Sequence, residues 1–307
     1  MKKVLIATEK PFAGVAVEGI KSISDRAGYE AVLLEKYASA DELCKAVTDA
    51  DALIVRSDKV TAEVIAAASK LKIVVRAGAG YDNLDLAACS AKGIVAMNTP
   101  GQNSNAVAEL ALGMMIFMAR NCWEPGTGTE LKGKKLGIHA YGNVGKLVAA
   151  LGKGFGMDVY AFDPFVANED MEKDGVTPVA DQAGLYATCQ YVSLHIPANE
   201  QTKRSIGYEL LSSMPKGGTL VNTARKEVID EEGLLKAMME RKDLKYASDV
   251  APDALVKILD SVGKRIFATS KKMGAETSEA NINAGLAAAQ QIVDFFEKGD
   301  KKFQVNQ

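Results

Sequence analysis

The chain has 307 residues, with 37 basic and 39 acidic side chains and a formal net charge of -2 at pH 7. That length exceeds what one hydrophobic core usually serves, so two domains are expected, and balanced charge supplies no field to attract nucleic acid or an anionic membrane. The expected partner is a small molecule, with no metal: Cys44, Cys89, Cys122 and Cys189 are scattered without a CxxC pair or flanking histidines, and read as reduced thiols of a cytoplasmic protein.

The start, Met1-Lys2-Lys3, leads into an apolar run too short for a signal peptide, and no later stretch reaches the roughly 20 apolar residues of a membrane span. Apolar, β-rich runs at 4–7, 31–34, 52–55, 73–77 and 94–97 then alternate with amphipathic helical stretches. This is the pattern of a small parallel sheet with helices on both faces. The turn cluster Asn98-Thr99-Pro100-Gly101 precedes an apolar helix predicted over 103–120, read as a bridge between domains. A second series follows, with strands predicted at 136–140, 159–162, 191–195, 219–222 and 246–250. An alanine-rich helix is predicted over 279–296, and the tail 301–307 is expected to return to the first domain as a short strand.

The first chemistry lies at the start of the second series. There Ala140-Tyr141-Gly142-Asn143-Val144-Gly145 follows an apolar strand and opens a helix, an AxGxxG version of the dinucleotide turn. Gly142 lets the backbone approach a pyrophosphate, Gly145 lets the helix pack close to the sheet, and the helix start offers free N–H groups to the anion. Asp163, at the end of a strand roughly 20 residues on, is placed to take both hydroxyls of a ribose. No Arg or Lys follows it in Pro164-Phe165-Val166, which favours NAD over NADP. The fold expectation is therefore α/β, two doubly wound parallel-sheet domains of the Rossmann or flavodoxin-like kind with an interdomain cleft. The substrate-binding domain would be discontinuous, 1–98 plus 282–307, and the NAD-binding domain would span 99–281.

Taken together, a set of motifs in fixed order resembles the D-isomer-specific 2-hydroxyacid dehydrogenases, and within them short phosphoglycerate dehydrogenases. The motifs are Val75-Arg76-Ala77-Gly78-Ala79-Gly80-Tyr81-Asp82-Asn83, Asn98-Thr99-Pro100-Gly101, Val107-Ala108-Glu109, the nucleotide turn, Leu194-His195-Ile196-Pro197, Val221-Asn222-Thr223-Ala224-Arg225, Asp249-Val250 and Lys272-Met273-Gly274-Ala275. The resemblance implies that backbone amides of Ala77, Gly78, Ala79 and Gly80 meet the substrate carboxylate, and that Arg225 binds that carboxylate and polarises the reacting carbonyl. A guanidinium fork suits both tasks. Arg56-Ser57 matches the family's phosphate-binding position, the alternative being a solvated arginine at a strand end, and Asn103 matches a further substrate contact. His195, Pro197, Thr202, Thr223, Ala224, Asp249, Gly274 and Ala275 match cofactor-contacting positions, joining Gly142, Asn143, Val144, Gly145 and Asp163. His139, within a strand, reads as a core or near-cofactor residue. The resemblance further implies a homodimer and a place in serine biosynthesis as phosphoglycerate dehydrogenase.

The chain also departs from that family. Its usual catalytic set is Arg, Glu and His, but Lys272 stands where the histidine is expected, and no glutamate follows Asp249-Val250 in Ala251-Pro252-Asp253-Ala254. A carboxylate raises and orients a histidine, whereas it would lock a lysine in its protonated form, so losing both partners together is coherent. Lys272 is thus the expected proton donor in a variant active site. Two alternatives are a hydroxypyruvate or glyoxylate reductase and a non-catalytic NAD-sensing protein.

Overall fold

The computed structural model describes residues 1–306 and divides into two compact units. One comprises Met1–Asn103 with the chain from Glu276 onward, and the other comprises Ser104–Ala275. Relative to the sequence-based division at 98/99 and 281/282, residues 99–103 and 276–281 therefore stand with the first unit. The reason at the second boundary is local: Thr277 caps the last helix, Ser278–Lys298, by accepting from Ala280 N at 3.1 Å, so the helix and its start form one piece.

The first unit holds a five-stranded parallel sheet of β1 (Lys3–Thr8), β2 (Glu30–Glu35), β3 (Ala52–Val55), β4 (Ile73–Arg76) and β5 (Val95–Asn98). Their order, β2-β1-β3-β4-β5, reverses direction between β1 and β3. Strands β3 and β5 are buried throughout, which is why they read as continuous apolar runs rather than alternating ones. Helix Ser278–Lys298 buries Ala280, Ala284, Gly285, Ala288, Ala289 and Ile292 against this unit. Its small residues are required by close packing, since a Cβ on Gly285 would sit 3.1 Å from Ile20 Cδ1 and 3.3 Å from a Phe12 ring carbon. Lys92 closes helix Ala62–Ala67 by donating to the carbonyls of Ile65, Ala66 and Ala68 at 2.6, 2.8 and 2.9 Å.

The expected terminal strand is a single antiparallel bridge instead, Met97 to Gln304. Val305 N donates to Ala96 O at 2.8 Å, but the next contacts are made by the Asn306 side chain, which accepts from Ala96 N at 2.7 Å and donates to Ile94 O at 2.9 Å. A side-chain amide thus replaces the main-chain ladder there. Gln307 lies outside the described residues.

The second unit opens with helix Ser104–Ala119, which packs on helix Asn143–Gly154. Its sheet comprises β6 (Lys135–His139), β7 (Asp158–Phe162), β8 (Thr177–Pro178), β9 (Tyr191–Leu194), β10 (Thr219–Asn222), β11 (Lys245–Ser248) and β12 (Ile266–Ala268). The order is β12-β11-β10-β9-β6-β7-β8, all parallel. Strands β8 and β12 are not among the predicted elements, because their two and three residues are too few to set a period. Direction reverses between β6 and β9, the place where open α/β sheets hold ligands outside the strand ends.

Candidate active site

At that reversal the chain leaves β6 through Ala140, whose φ of 81° lies in the left-handed region. Ala140 occupies the place of the first glycine of the dinucleotide turn, so an alanine adopts there the conformation the motif demands, at a cost on the order of 1–2 kcal/mol. Gly142 then caps helix Asn143–Gly154, and a Cβ built on it would meet nothing within 4 Å. Gly145 is the opposite case, because a Cβ there would collide with Ala140 O and approach Ile138 Cγ2 to 2.9 Å. One glycine keeps the turn open to an approaching group, and the other permits the helix to touch the strand. Asp163, half-buried beyond β7, accepts from Tyr141 N and Phe165 N, each at 2.8 Å. These bonds orient the carboxylate and leave each oxygen a lone pair for a ribose hydroxyl.

Next along the carboxyl edge, His139 and His195 are joined by their backbones, His195 N donating to His139 O at 2.9 Å. The His139 ring is buried, meets Tyr186 Oη at 3.3 Å, and is pushed by burial down to about 4, against the pull of Asp163. His195 has a buried Nε2 with no hydrogen-bond partner among the described residues, and burial, then the nearby His139, takes it down to about 3. Both rings are neutral at pH 7, which disfavours either as the proton donor. Pro197 is exposed, and its carbonyl accepts from Thr202 Oγ1 at 2.5 Å, so Thr202 ties down the loop after β9.

After β10, buried Asn222 organises the arginine turn, a role the sequence did not single out. Its Oδ1 accepts from Ala224 N at 2.9 Å and its Nδ2 donates to Arg225 O at 2.9 Å. Thr223 Oγ1 is buried without a hydrogen-bond partner among the described residues. Arg225 is half-buried, with Nη1 donating to Ala224 O at 3.1 Å. Beyond β11, Asp249 is fully buried and bonds the segment that carries Lys272, while Lys271 and Lys272 are both exposed. Gly274 is buried and Ala275 half-buried beside them. Asn143 and Val144 form the first turn of the helix behind the dinucleotide loop.

The first unit carries the remaining positions. Arg56 follows β3, and its guanidinium already donates to Lys10 O at 3.3 Å, Pro11 O at 3.1 Å and Asn281 Oδ1 at 2.5 Å, beside the Phe12 ring. Ser57 is exposed. In the loop after β4, Ala77 N donates to Val55 O and Gly78 N to Arg76 O, at 2.8 and 2.9 Å. The amides with no intrachain acceptor among the described residues are those of Ala79 and Gly80, half the set the sequence named. Gly78 has φ 149°, and a Cβ there would collide with the Arg76 guanidinium packed against the loop. Asn98 Nδ2 holds the same loop by donating to Ala79 O at 2.6 Å, a second contribution not signalled by sequence. Asn103 is half-buried at the end of this unit.

Among the described residues, no group of three or more His, Cys, Asp or Glu is arranged to hold a metal ion, and no helix is long and apolar enough to cross a membrane. Two parallel sheets, one with a dinucleotide turn and the other with an open amide loop, define a class of two-unit α/β proteins that present glycine-containing loops at their strand ends. Consistent with this, the profile of the D-isomer specific 2-hydroxyacid dehydrogenase catalytic domain matches residues 8–306, and the chain belongs to that family. It is similar over 100% of its length to the NAD+-bound 3-phosphoglycerate dehydrogenase of Entamoeba histolytica, covering 99% of that chain at 51% identity and a TM-score of 0.89. It is 38% identical over 266 residues to the D-3-phosphoglycerate dehydrogenase of Methanocaldococcus jannaschii, covering 82% of this chain but 51% of that protein. It is 34% identical over 282 residues to the hydroxypyruvate reductase of Thermotoga maritima, covering 86% of this chain and 90% of the relative. The chain thus spans about half the length of the curated phosphoglycerate dehydrogenases it matches and nearly all of the reductase.

Proposed function

We propose that this chain is an NAD-dependent dehydrogenase that interconverts 3-phosphoglycerate and 3-phosphohydroxypyruvate. The observation that carries the reading is the strand–turn–helix of β6, with Ala140 held left-handed, Gly142 open, Gly145 closed on the strand, and Asp163 oriented beside them. The orphaned Thr223 Oγ1 and His195 Nε2 along the same edge fit a polar ligand that would satisfy them. The 51% identical neighbour bound to NAD+ supports the cofactor and the phosphorylated substrate alike.

In this reading Gly142, Asn143, Val144 and Gly145 hold the pyrophosphate and Asp163 the adenosine ribose. His195, Pro197, Thr202, Thr223, Ala224, Asp249, Gly274 and Ala275 line the rest of the cofactor. NADH, when bound, supplies the hydride to the substrate's C2. Arg225 holds the carboxylate and polarises the 2-oxo group, and the amides of Ala79 and Gly80 are further carboxylate donors. The Lys272 ammonium gives its proton to the oxygen as the hydroxyl forms, and the neutral amine takes it back in the reverse direction. Arg56 and Ser57 receive the phosphate, and Asn103 is a further substrate contact.

Reduction of unphosphorylated hydroxypyruvate is a second reading, favoured by the bonds that already engage Arg56 and by the reductase of similar length. Steady-state NADH oxidation with both oxo acids decides between them. A kcat/KM at least about tenfold higher for the phosphorylated substrate is expected, the least that one charge-assisted phosphate contact contributes. Equal or reversed preference would favour the reductase, and NADH binding without turnover of either acid would mark a non-catalytic sensor.

A further inference from the structure

Lys272 lies on an irregular segment, 269–275, between β12 and the end of the second unit, where no helix or strand ladder holds the backbone in one shape. The holding group is Asp249. We propose that Asp249 is the positioning residue for Lys272, its buried carboxylate gathering this segment into the shape from which the lysine projects. The proposal rests on the reading of Lys272 as proton donor.

Asp249 directly follows the end of β11 and is fully buried. Its Oδ1 accepts from Met273 N at 2.8 Å and Thr269 Oγ1 at 3.1 Å, and its Oδ2 accepts from Gly274 N at 2.8 Å. Thr269 Oγ1 also lies 2.9 Å from Asp249 O, so one hydroxyl is shared between carbonyl and carboxylate. Two of these donors are the amides immediately after Lys272, so the direction of the backbone leaving the lysine is fixed by one charged group. Buried carboxylates are tolerated where such donors converge, and bonds to a charged acceptor are stronger than neutral ones. Gly274 completes the argument, because a Cβ there would lie 2.9 Å from Asp249 Oδ2 and 3.2 Å from Val107 Cγ2. The glycine is the residue that lets the carboxylate reach its amide.

The same residue connects to the arginine turn. Asp249 N donates to Asn222 O at 2.9 Å, and the Asn222 side chain bonds Ala224 N and Arg225 O. One short chain of hydrogen bonds therefore sets the backbone of both groups expected to act on the 2-oxo acid. Asn222 and Asp249 are coupled to the chemistry through geometry, whatever cofactor contact Asp249 also makes with its remaining lone pairs.

The test combines hydrogen exchange on the unliganded protein with a kinetic cycle. Asp249→Asn keeps the size but must turn an NH₂ group toward at least one N–H or O–H donor. Exchange at the amides of Met273 and Gly274 should quicken by about tenfold or more, the scale of a lost buried hydrogen bond, with the strands of the sheet unchanged. kcat should fall by a similar factor in the Lys272 protein, yet Asp249→Asn should cost nothing further in a Lys272→Met background. If Asp249→Asn does not fold, Thr269→Val carries the same expectations at smaller size, with Thr269→Ser restoring both readouts. Unchanged exchange at Met273 and Gly274 overturns the clamp. Faster exchange with equal loss in both backgrounds overturns the link to Lys272. Full activity of Lys272→Met refutes the proton-donor reading itself, and the exchange data still decide separately whether Asp249 holds the segment.

Discussion

The carboxyl edges of the two sheets are finished differently. Just after β9 and β10, His195 Nε2 and Thr223 Oγ1 are buried without hydrogen-bond partners among the described residues. Beyond β3 and β4, Arg56 bonds to Lys10 O, Pro11 O and Asn281, while Arg76 Nε and Asn83 Nδ2 both donate to Arg56 O. Among the described residues of that unit, Glu35 Oε1 at the end of β2, Thr99 Oγ1 after β5 and Gln291 Oε1 on the last helix are buried without partners, but none of them lies on the Arg56 loop. An orphaned buried polar group costs about 1–3 kcal/mol until something satisfies it. The edge at β9 and β10 thus gains by taking up a polar ligand, whereas the Arg56 loop beyond β3 must trade existing bonds for new ones. On the proposed function, the cofactor site is preformed while the phosphate site is assembled by exchange, with Arg56 giving up its present acceptors for a stronger, charge-assisted one.

The comparison can be broken at either edge. On the second unit, Lys272→Met should reduce kcat by roughly 10² to 10⁴ with NADH affinity preserved, as loss of a general acid does. Lys271→Ala should retain most activity, and the reverse pattern in these two variants would remove Lys272 from the chemistry. On the first unit, Arg56→Ala should raise KM for phosphohydroxypyruvate through a loss of about 2–3 kcal/mol, leaving hydroxypyruvate nearly untouched. Equal damage to both substrates would show that the bonds to Lys10, Pro11 and Asn281 are the residue's whole role. Asp163→Ala should weaken NAD by about tenfold while narrowing its advantage over NADP, because the ribose bonds and the repulsion of a 2′-phosphate vanish together. Fluorescence titration with both reduced cofactors measures this, and an unchanged ratio would sink the assignment.

The smallest effect concerns stability. Because burial holds His139 near 4 and His195 near 3, the unfolded chain binds protons between about pH 6.5 and those values that the folded chain does not. Stability therefore rises with pH across that window and falls on acidification below about 6.5. His139→Asn should flatten the drop in melting temperature between pH 7 and pH 5, by about 1–2 kcal/mol in free energy. A drop as steep as in the parent protein would mean that the ring is protonated in the folded state.

Part of this arrangement is legible in the sequence. The glycines at 142 and 145 and the carboxylate at 163 signal their chemistry by spacing, because backbone approach and ribose recognition each demand a residue type at a fixed distance along the chain. What the sequence could not carry is what depends on partners remote in the chain. Nothing local to Asp249 announces that its carboxylate reaches residues 269–274, and nothing in Arg56-Ser57 shows that Asn281 holds the guanidinium. The left-handed Ala140 was legible only as a departure from a glycine motif, and its conformation is imposed by the strand and helix on either side. The tail went astray for a similar reason, since an apolar-polar pattern cannot tell a ladder from the Asn306 side chain that imitates one.

The central claim, that a lysine does the work of the family's histidine, is tested most directly by the pH dependence of hydroxy-acid oxidation by NAD. In that direction the neutral amine of Lys272 must accept the proton, so activity should rise on a basic limb. Because imidazole titrates well below an ammonium group, Lys272→His should move that limb toward lower pH by about two units or more while retaining measurable turnover. A limb that stays in place in Lys272→His would contradict the account and assign the proton to another group.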